Sequence, residues 1–309
     1  MTQSPRSTVE FQTDGLTITA LTTEPAPPSL APDSPRPDSP RPLIAALHGG
    51  TYTSRYFDVA GSPEGSFMDT AAASGYQVVS FDRPNYGGSS PLAPDQNTFA
   101  RHAELLSDAI AQAARRFSAD RVLLVGHSIG GMIALMIAAG ETDFPLVGVS
   151  ATGMGAVIPA GGAAQALASL PVDQTVDLPY DQRDQVMFGP AFTYSAAAVA
   201  QAHGSYAPVP VSELFQAPRW PVELLPGLAP KVRVPVHNAL AEYDALWDSS
   251  PANVARFAGL FTAVPFIEAS VARGTGHSID HHTLGHALHL RQLAFAAECA
   301  LWARQDGHG

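Results

Sequence analysis

The chain has 309 residues and a mass of 32.3 kDa, with 46% hydrophobic and 15% charged residues, enough for one large apolar core and an inserted subdomain. Its 28 acidic residues outnumber 17 basic ones, and Lys231 is the sole lysine, so the clustered positive charge needed for nucleic acid or anionic lipid is missing. The single cysteine, Cys299, excludes an intrachain disulfide and a zinc–thiolate cluster.

The N-terminus has no long apolar h-region, and no 18-residue stretch elsewhere is free of polar interruption. The expectation is a soluble cytoplasmic protein with no membrane partner. Residues 8–22, TVEFQTDGLTITALT, alternate around an Asp-Gly pair and predict a β-hairpin. Residues 24–43 carry eight prolines, including the tandem PDSPR at 32–36 and 37–41. Such a stretch supports neither a helix nor a central strand and reads as a solvent-exposed, partly polyproline-like spacer.

Four apolar runs ending in turn residues follow: LIAALHGG (43–50), YQVVSFDRPNYG (76–87), RVLLVGHS (121–128) and PLVGVSATG (145–153). Residues 99–117 have helical spacing, with Leu105, Leu106, Ile110, Ala113 and Ala114 on one face and Arg115 and Arg116 in the last turn. Continuous apolar strands alternating with helices predict an α/β fold with a mostly parallel sheet flanked by helices. The alternation lapses over residues 155–230, which hold ten prolines and several aromatics. It resumes at VRVPVHNALAEYD (232–244) and PFIEASVARGTGH (265–277) and ends in a helix near 281–304. The domain reading is a core first part (1–154), an inserted cap (155–230) with helices at 162–170 and 192–204, and a core second part (231–309).

The strongest chemical signal is VLLVGHSIGGMIALMIAAG, residues 122–140. An apolar strand runs into Gly126-His127-Ser128-Ile129-Gly130 and then a helix rich in alanine and methionine. Small residues two before and two after Ser128 permit the sharp turn that raises a serine hydroxyl above a sheet edge. The helix N-terminus that follows directs the Ile129 amide toward a developing oxyanion.

With this motif the sequence resembles the α/β-hydrolase superfamily, in its capped serine-hydrolase group. His48-Gly49-Gly50 resembles the oxyanion-loop motif, and Phe81-Asp82-Arg83-Pro84-Asn85-Tyr86-Gly87-Gly88-Ser89 resembles the loop after the next core strand. The resemblance covers most of 43–150 and 232–304 and implies a catalytic triad in the order Ser128, Asp244, His277. His277 follows VARGTG, where Gly274 and Gly276 let a loop reach over the sheet, and Asp244 lies just beyond strand VRVPVHNAL; Asp248 and Glu242 are its competitors. Gly50 is the first choice and Thr51 the second for the oxyanion donor that joins Ile129.

Of the other histidines, His48 is expected to brace its loop, His127 to pack at the turn, and His281, His282, His286 and His289 to decorate the last helix. Arg83 is expected to tie its loop by salt bridges. Neither a GxxxxGK nor a GxGxxG motif is present, so no nucleotide, metal or other cofactor is expected. Met187, Phe188, Phe192, Tyr194, Trp220 and Trp247 are candidate pocket residues. The expected reaction is hydrolysis of a small, largely apolar ester through an acyl-enzyme, with a small-molecule ester or thioester as partner and a homodimer as one oligomeric option. The competing readings are a biosynthetic thioesterase or cyclase, a C–C bond hydrolase, and a hydrolase-like ligand-binding protein without activity.

Overall fold

The computed structural model describes residues 5–25, 41–159 and 171–305. Most of the proline-rich stretch and the helix predicted at 162–170 lie outside the described residues. Strands β1 (Arg6–Thr13) and β2 (Leu16–Thr23) pair antiparallel around Asp14 and Gly15. Both turn residues have left-handed backbones, with φ of 47° and 75°, the conformation a two-residue hairpin needs to match the strand twist.

The remaining strands in chain order are β3 (Leu43–Leu47), β4 (Val78–Phe81), β5 (Val122–His127), β6 (Leu146–Thr152), β7 (Thr175–Val176), β8 (Val209–Pro210), β9 (Val236–Ala241) and β10 (Ile267–Ala272). Eight of them form one sheet in the order β1-β2-β4-β3-β5-β6-β9-β10. It is parallel from β4 to β10, with the hairpin added antiparallel through β2. The apolar runs stay unbroken because both faces are covered. Leu43, Ala45 and Leu47 join the cluster that contains Leu106, Ile110 and Ile133, whereas Ile44 and Ala46 join Phe67, Phe295 and Ala296 on the other face.

Helix α1 (Phe67–Ala73) was not anticipated, although its capping box, Ser66 with Asp69, stands in the sequence. Helix α2 (Phe99–Arg116) matches the predicted span, capped by the Thr98 side chain accepting from Arg101 N–H. Helix α3 (Ile129–Ala138) leaves β5 at once. Between β6 and β9 lies a helical insertion that includes α4 (Tyr180–Met187), α5 (Ala196–His203) and α6 (Val211–Gln216). Helix α5 falls in the predicted 192–204 segment, but the short β7–β8 ladder was not expected. Helix α7 (Pro251–Ala258) was also unanticipated, and the last helix, α8 (Gly285–Gln305), begins after a 3-10 turn at Ile279–His281.

The β5–α3 junction depends on missing side chains. A Cβ on Gly126 would overlap the Gly130 carbonyl, and one on Gly130 would overlap the Leu47 carbonyl of the neighbouring strand. Gly130→Val is therefore expected to destabilise the fold by about 1–3 kcal/mol or more, read as a lowered thermal midpoint or loss of soluble protein; an unchanged midpoint would contradict this packing.

Candidate active site

Ser128 joins β5 to α3 with φ 53° and ψ −121°, a backbone conformation that a non-glycine residue holds only when its surroundings enforce it. Ser128 N–H donates to the Thr152 carbonyl at 2.7 Å, and the Ser128 carbonyl accepts from Gly131 and Met132 N–H at 2.9 and 3.1 Å. These bonds hold the hydroxyl at the carboxyl edge of the parallel strands.

The loop after β10 brings His277 across. Its Nε2 lies 3.1 Å from Ser128 Oγ, and its Nδ1 lies 3.1 and 3.0 Å from the two carboxylate oxygens of Asp244. A carboxylate can only accept, so Nδ1 carries the proton and Nε2 is left to accept from the serine hydroxyl. The Asp244 side chain is fully buried, and its Oδ1 also accepts from Leu246 and Trp247 N–H. The competing carboxylates point elsewhere: Asp248 Oδ1 accepts from Ser250 N–H and Glu242 Oε2 from Gly274 N–H.

The His277 loop is braced by a residue the sequence reasoning assigned to the helix surface. His282 Nε2 accepts from Gly276 N–H at 2.9 Å, and its Nδ1 faces the Ser278 carbonyl at 2.9 Å. Gly276 packs against Gly189 of the insertion so closely that a Cβ would overlap the Gly189 nitrogen.

His281, His282 and His289 are buried, which corrects the expectation that they decorate the last helix. The first two lie in the turn before α8. The third faces the buried Asp280, with Nε2 3.2 Å from Oδ1. Their signal was Asp280 itself, a carboxylate placed among histidines. Burial is the main force pushing His281 and His282 down to about 4, against the hydrogen bonds each makes to a backbone carbonyl. Burial also pushes His48, His102 and His127 well below the ordinary range. Burial alone would raise Asp280, yet the surrounding histidines, His289 first among them, together outweigh it and hold the carboxyl at about 2. His127 stacks on Tyr56 at 4.5 Å, as its expected packing role requires. Among the described residues no group of three or more His, Cys, Asp or Glu side chains is arranged to hold a metal ion.

A cavity of about 130 Å³ opens onto Ser128 and His277. Gly50, Thr51 and Ile129 stand at its reactive end, and Met132, Ile158, Met187, Leu214, Leu246 and Trp247 are among its apolar walls. Among the described residues no Asp, Glu, Lys or Arg side chain lines it. Of the six aromatic and methionine candidates, Met187 and Trp247 line the cavity and the other four do not. Phe188 packs on Tyr194 and His282, Phe192 is 78% exposed beside Tyr243, and Trp220 is buried in the core with Leu225 and Phe257. Size and apolarity made these residues candidates, but a large ring seals a cap onto a core as readily as it lines a pocket. The lining residues Leu214, Ala217 and Ala245 had no distinguishing signal in the sequence.

A model of the alpha/beta hydrolase family matches residues 44–298. The chain belongs to this family. Among solved structures, it is similar to a membrane phospholipase A described as a bacterial virulence factor (TM-score 0.63, 19% identity, covering 94% of this chain and 87% of the other). It is also similar to a thermophilic esterase from Thermogutta terrifontis (TM-score 0.64, 14% identity, 95% and 99% covered) and to VinJ (TM-score 0.62, 19% identity, 96% and 99% covered). At these identities the likeness is one of fold, the hydrolase sheet with its helical cap insertion. A comparison with curated proteins finds no match. Among the described residues of this alpha/beta hydrolase, no helix is long and apolar enough to cross a membrane.

The buried histidines give the stability of this hydrolase a definite pH dependence. His281 and His282 have folded values near 4, below the ordinary 6.5, so the unfolded chain binds protons first on acidification. The stability they support is complete above about pH 6.5 and declines as pH falls toward 4; Asp280 extends the decline toward pH 2. Denaturant titrations at several pH values between 7.5 and 4 are expected to show the free energy of unfolding falling steadily, with a shallower slope in His282→Gln. A flat profile in the parent protein would contradict it.

Proposed function

We propose that this protein is a serine hydrolase that cleaves the carboxylic ester of a small, largely apolar molecule through an acyl-enzyme. The observation that carries the reading is the hydrogen-bonded line Asp244–His277–Ser128 ending at an apolar cavity. Ser128 Oγ attacks the ester carbonyl as His277 Nε2 takes its proton, and Asp244 stabilises the imidazolium that forms. The tetrahedral oxyanion faces the backbone N–H groups of Gly50 and Ile129. The Thr51 hydroxyl, buried without a partner and on the cavity wall, is a third donor within the same loop. His277 then returns the proton to the alkoxide as the C–O bond breaks. Water attacks the acyl-enzyme by the same route, with His277 again as base, releasing the acid and restoring Ser128.

The cavity walls narrow the acyl group. With Ile158, Met187, Leu214, Leu246 and Trp247 around it and no Asp, Glu, Lys or Arg among the described lining residues, an ionised acyl terminus would be desolvated without a partner, at a cost of several kcal/mol. Short neutral acyl esters are therefore expected to be cleaved at least ~100-fold more efficiently than the matching hemisuccinates. Equal kcat/KM for the two would remove the apolar-acyl assignment.

The reaction class is tested with a fluorophosphonate probe and matched oxoester, thioester and amide substrates. Labelling of the parent protein is expected to disappear in Ser128→Ala. Asp244→Asn should lower kcat by about 10³–10⁴ at neutral pH, because its amide can no longer hold the imidazole in the required tautomer. Asp248→Asn should stay within about twofold of the parent. Folded parent protein that neither labels nor turns over an oxoester would favour a ligand-binding role, and preference for the thioester would move the assignment to a thioesterase.

A further inference from the structure

The geometry assigns Arg83 and Glu213 a positioning role: a buried strut from cap helix α6 to the Gly49–Gly50 peptide that aims the Gly50 N–H. It rests on the hydrolase reading above and concerns how that site is held.

Both side chains are completely buried, with Arg83 Nη2 donating to Glu213 Oε2 at 2.8 Å. The same guanidinium reaches back into the loop after β3. Its Nη2 donates to the Gly49 carbonyl at 3.1 Å and its Nε to the His48 carbonyl at 3.0 Å. Tyr86 lies under the guanidinium and donates its hydroxyl to the same Glu213 oxygen at 3.0 Å. Arg83 backbone N–H donates to His48 Nε2 at 3.1 Å. The proton of neutral His48 therefore sits on Nδ1, which faces the Gly49 carbonyl at 2.8 Å.

Two donors thus meet at one carbonyl oxygen, and that carbonyl belongs to the peptide unit that contains the Gly50 N–H. The described chain contains no cis peptide bond, so in this planar trans unit the N–H points opposite to the C=O. Fixing the Gly49 oxygen therefore fixes the direction of the Gly50 donor. A cation on the carbonyl also polarises the whole amide and strengthens its N–H as a donor. Neither Gly49 nor Gly50 has a side chain with which to do this itself. A Cβ on Gly49 would come within 3.0 Å of Ser128 Cβ, and one on Gly50 within 3.1 Å of Ile129 Cδ1.

Glu213 supplies the counter-charge from a helix whose next residue, Leu214, is a cavity wall. Further bonds dock the same helix: Asn97 donates to Ser212 Oγ, and Gln216 donates to the Asn97 carbonyl. His102, neutral, completes the shell: its Nδ1 lies 3.2 Å from Arg83 Nη1, and its Nε2 faces Asn97. A buried ion pair by itself is weak grounds for stability, because apolar pairs often replace one without loss. What sets this pair apart is the carbonyl it grips.

The test compares Arg83→Lys, the apolar double variant Arg83→Met/Glu213→Leu, and Gln216→Ala, which removes a cap–core bond that does not touch Gly49. Each is measured for thermal midpoint, KM, kcat and the rate of phosphonylation of Ser128 by the fluorophosphonate, whose phosphoryl oxygen uses the same amides. A lysine keeps the charge but cannot span Glu213 and two carbonyls at once. Arg83→Lys is expected to lose about tenfold, and the double variant about 10²-fold, in kcat and phosphonylation, with KM within about threefold. Gln216→Ala should lower the midpoint and leave kcat within about twofold. Kcat within threefold of the parent in folded Arg83→Lys and in the folded double variant would overturn the strut, as would an equal loss of kcat in Gln216→Ala. A parent protein that does not label at all would instead overturn the hydrolase reading, and the strut with it.

Discussion

The site depends on close backbone approach where β3, β5 and α3 meet. Gly126, Gly130 and Gly49 each lie where a side chain would collide with the neighbouring segment or come within 3.0 Å of Ser128. Their absence of Cβ atoms lets the strand turn straight into the helix, and the turn forces Ser128 to φ 53°. Sheet packing holds that unfavourable conformation. The loop after β3 can then lie directly against the serine, which puts its backbone beside the hydroxyl.

Around this contact the protein is polar but sparing with charge. Its net charge is −11, while five histidines near or behind the site are held neutral by burial. Neutral imidazole both donates and accepts, so a buried histidine can tie two backbone groups without the desolvation cost of an ion. His48 and His282 do this on opposite sides of Ser128, one bracing the loop after β3 and the other the loop carrying His277. Besides Asp244, the buried carboxylates of Asp280 and Glu213 each face a specific donor, respectively Tyr56 and Arg83.

The fold was legible where local sequence and tertiary structure agree. The hairpin at Asp14-Gly15, the long helix from Phe99 and the strand–turn–helix at Ser128 each carry their signal within a few adjacent residues. The histidine and acid candidates came from the resemblance to the hydrolase superfamily, helped by the glycines before His277, and the structure places His277 between Asp244 and Ser128. The pocket was not. Leu214, Ala217 and Ala245 are ordinary apolar residues whose meaning comes from which way a short helix or loop faces, whereas Phe192 and Trp220 attracted notice by size alone. The role of His282 was hidden for a similar reason, since a histidine bonding two backbone groups six and four residues away has no pattern distinct from one on a helix surface.

The insertion is fastened at the segment that follows the two glycines. Ala207 N–H donates to the Thr51 carbonyl, Thr53 N–H donates to the Ser205 carbonyl, and Tyr52 pairs with Tyr206 as an isolated bridge. A lid hinged to swing away as one body would have to unzip this ladder and disturb the neighbouring backbone at Gly50. The less disruptive way into the cavity is therefore past half-buried lining side chains such as Ile158 and Leu246, which can change rotamer while the backbone beside Gly50 stays in place.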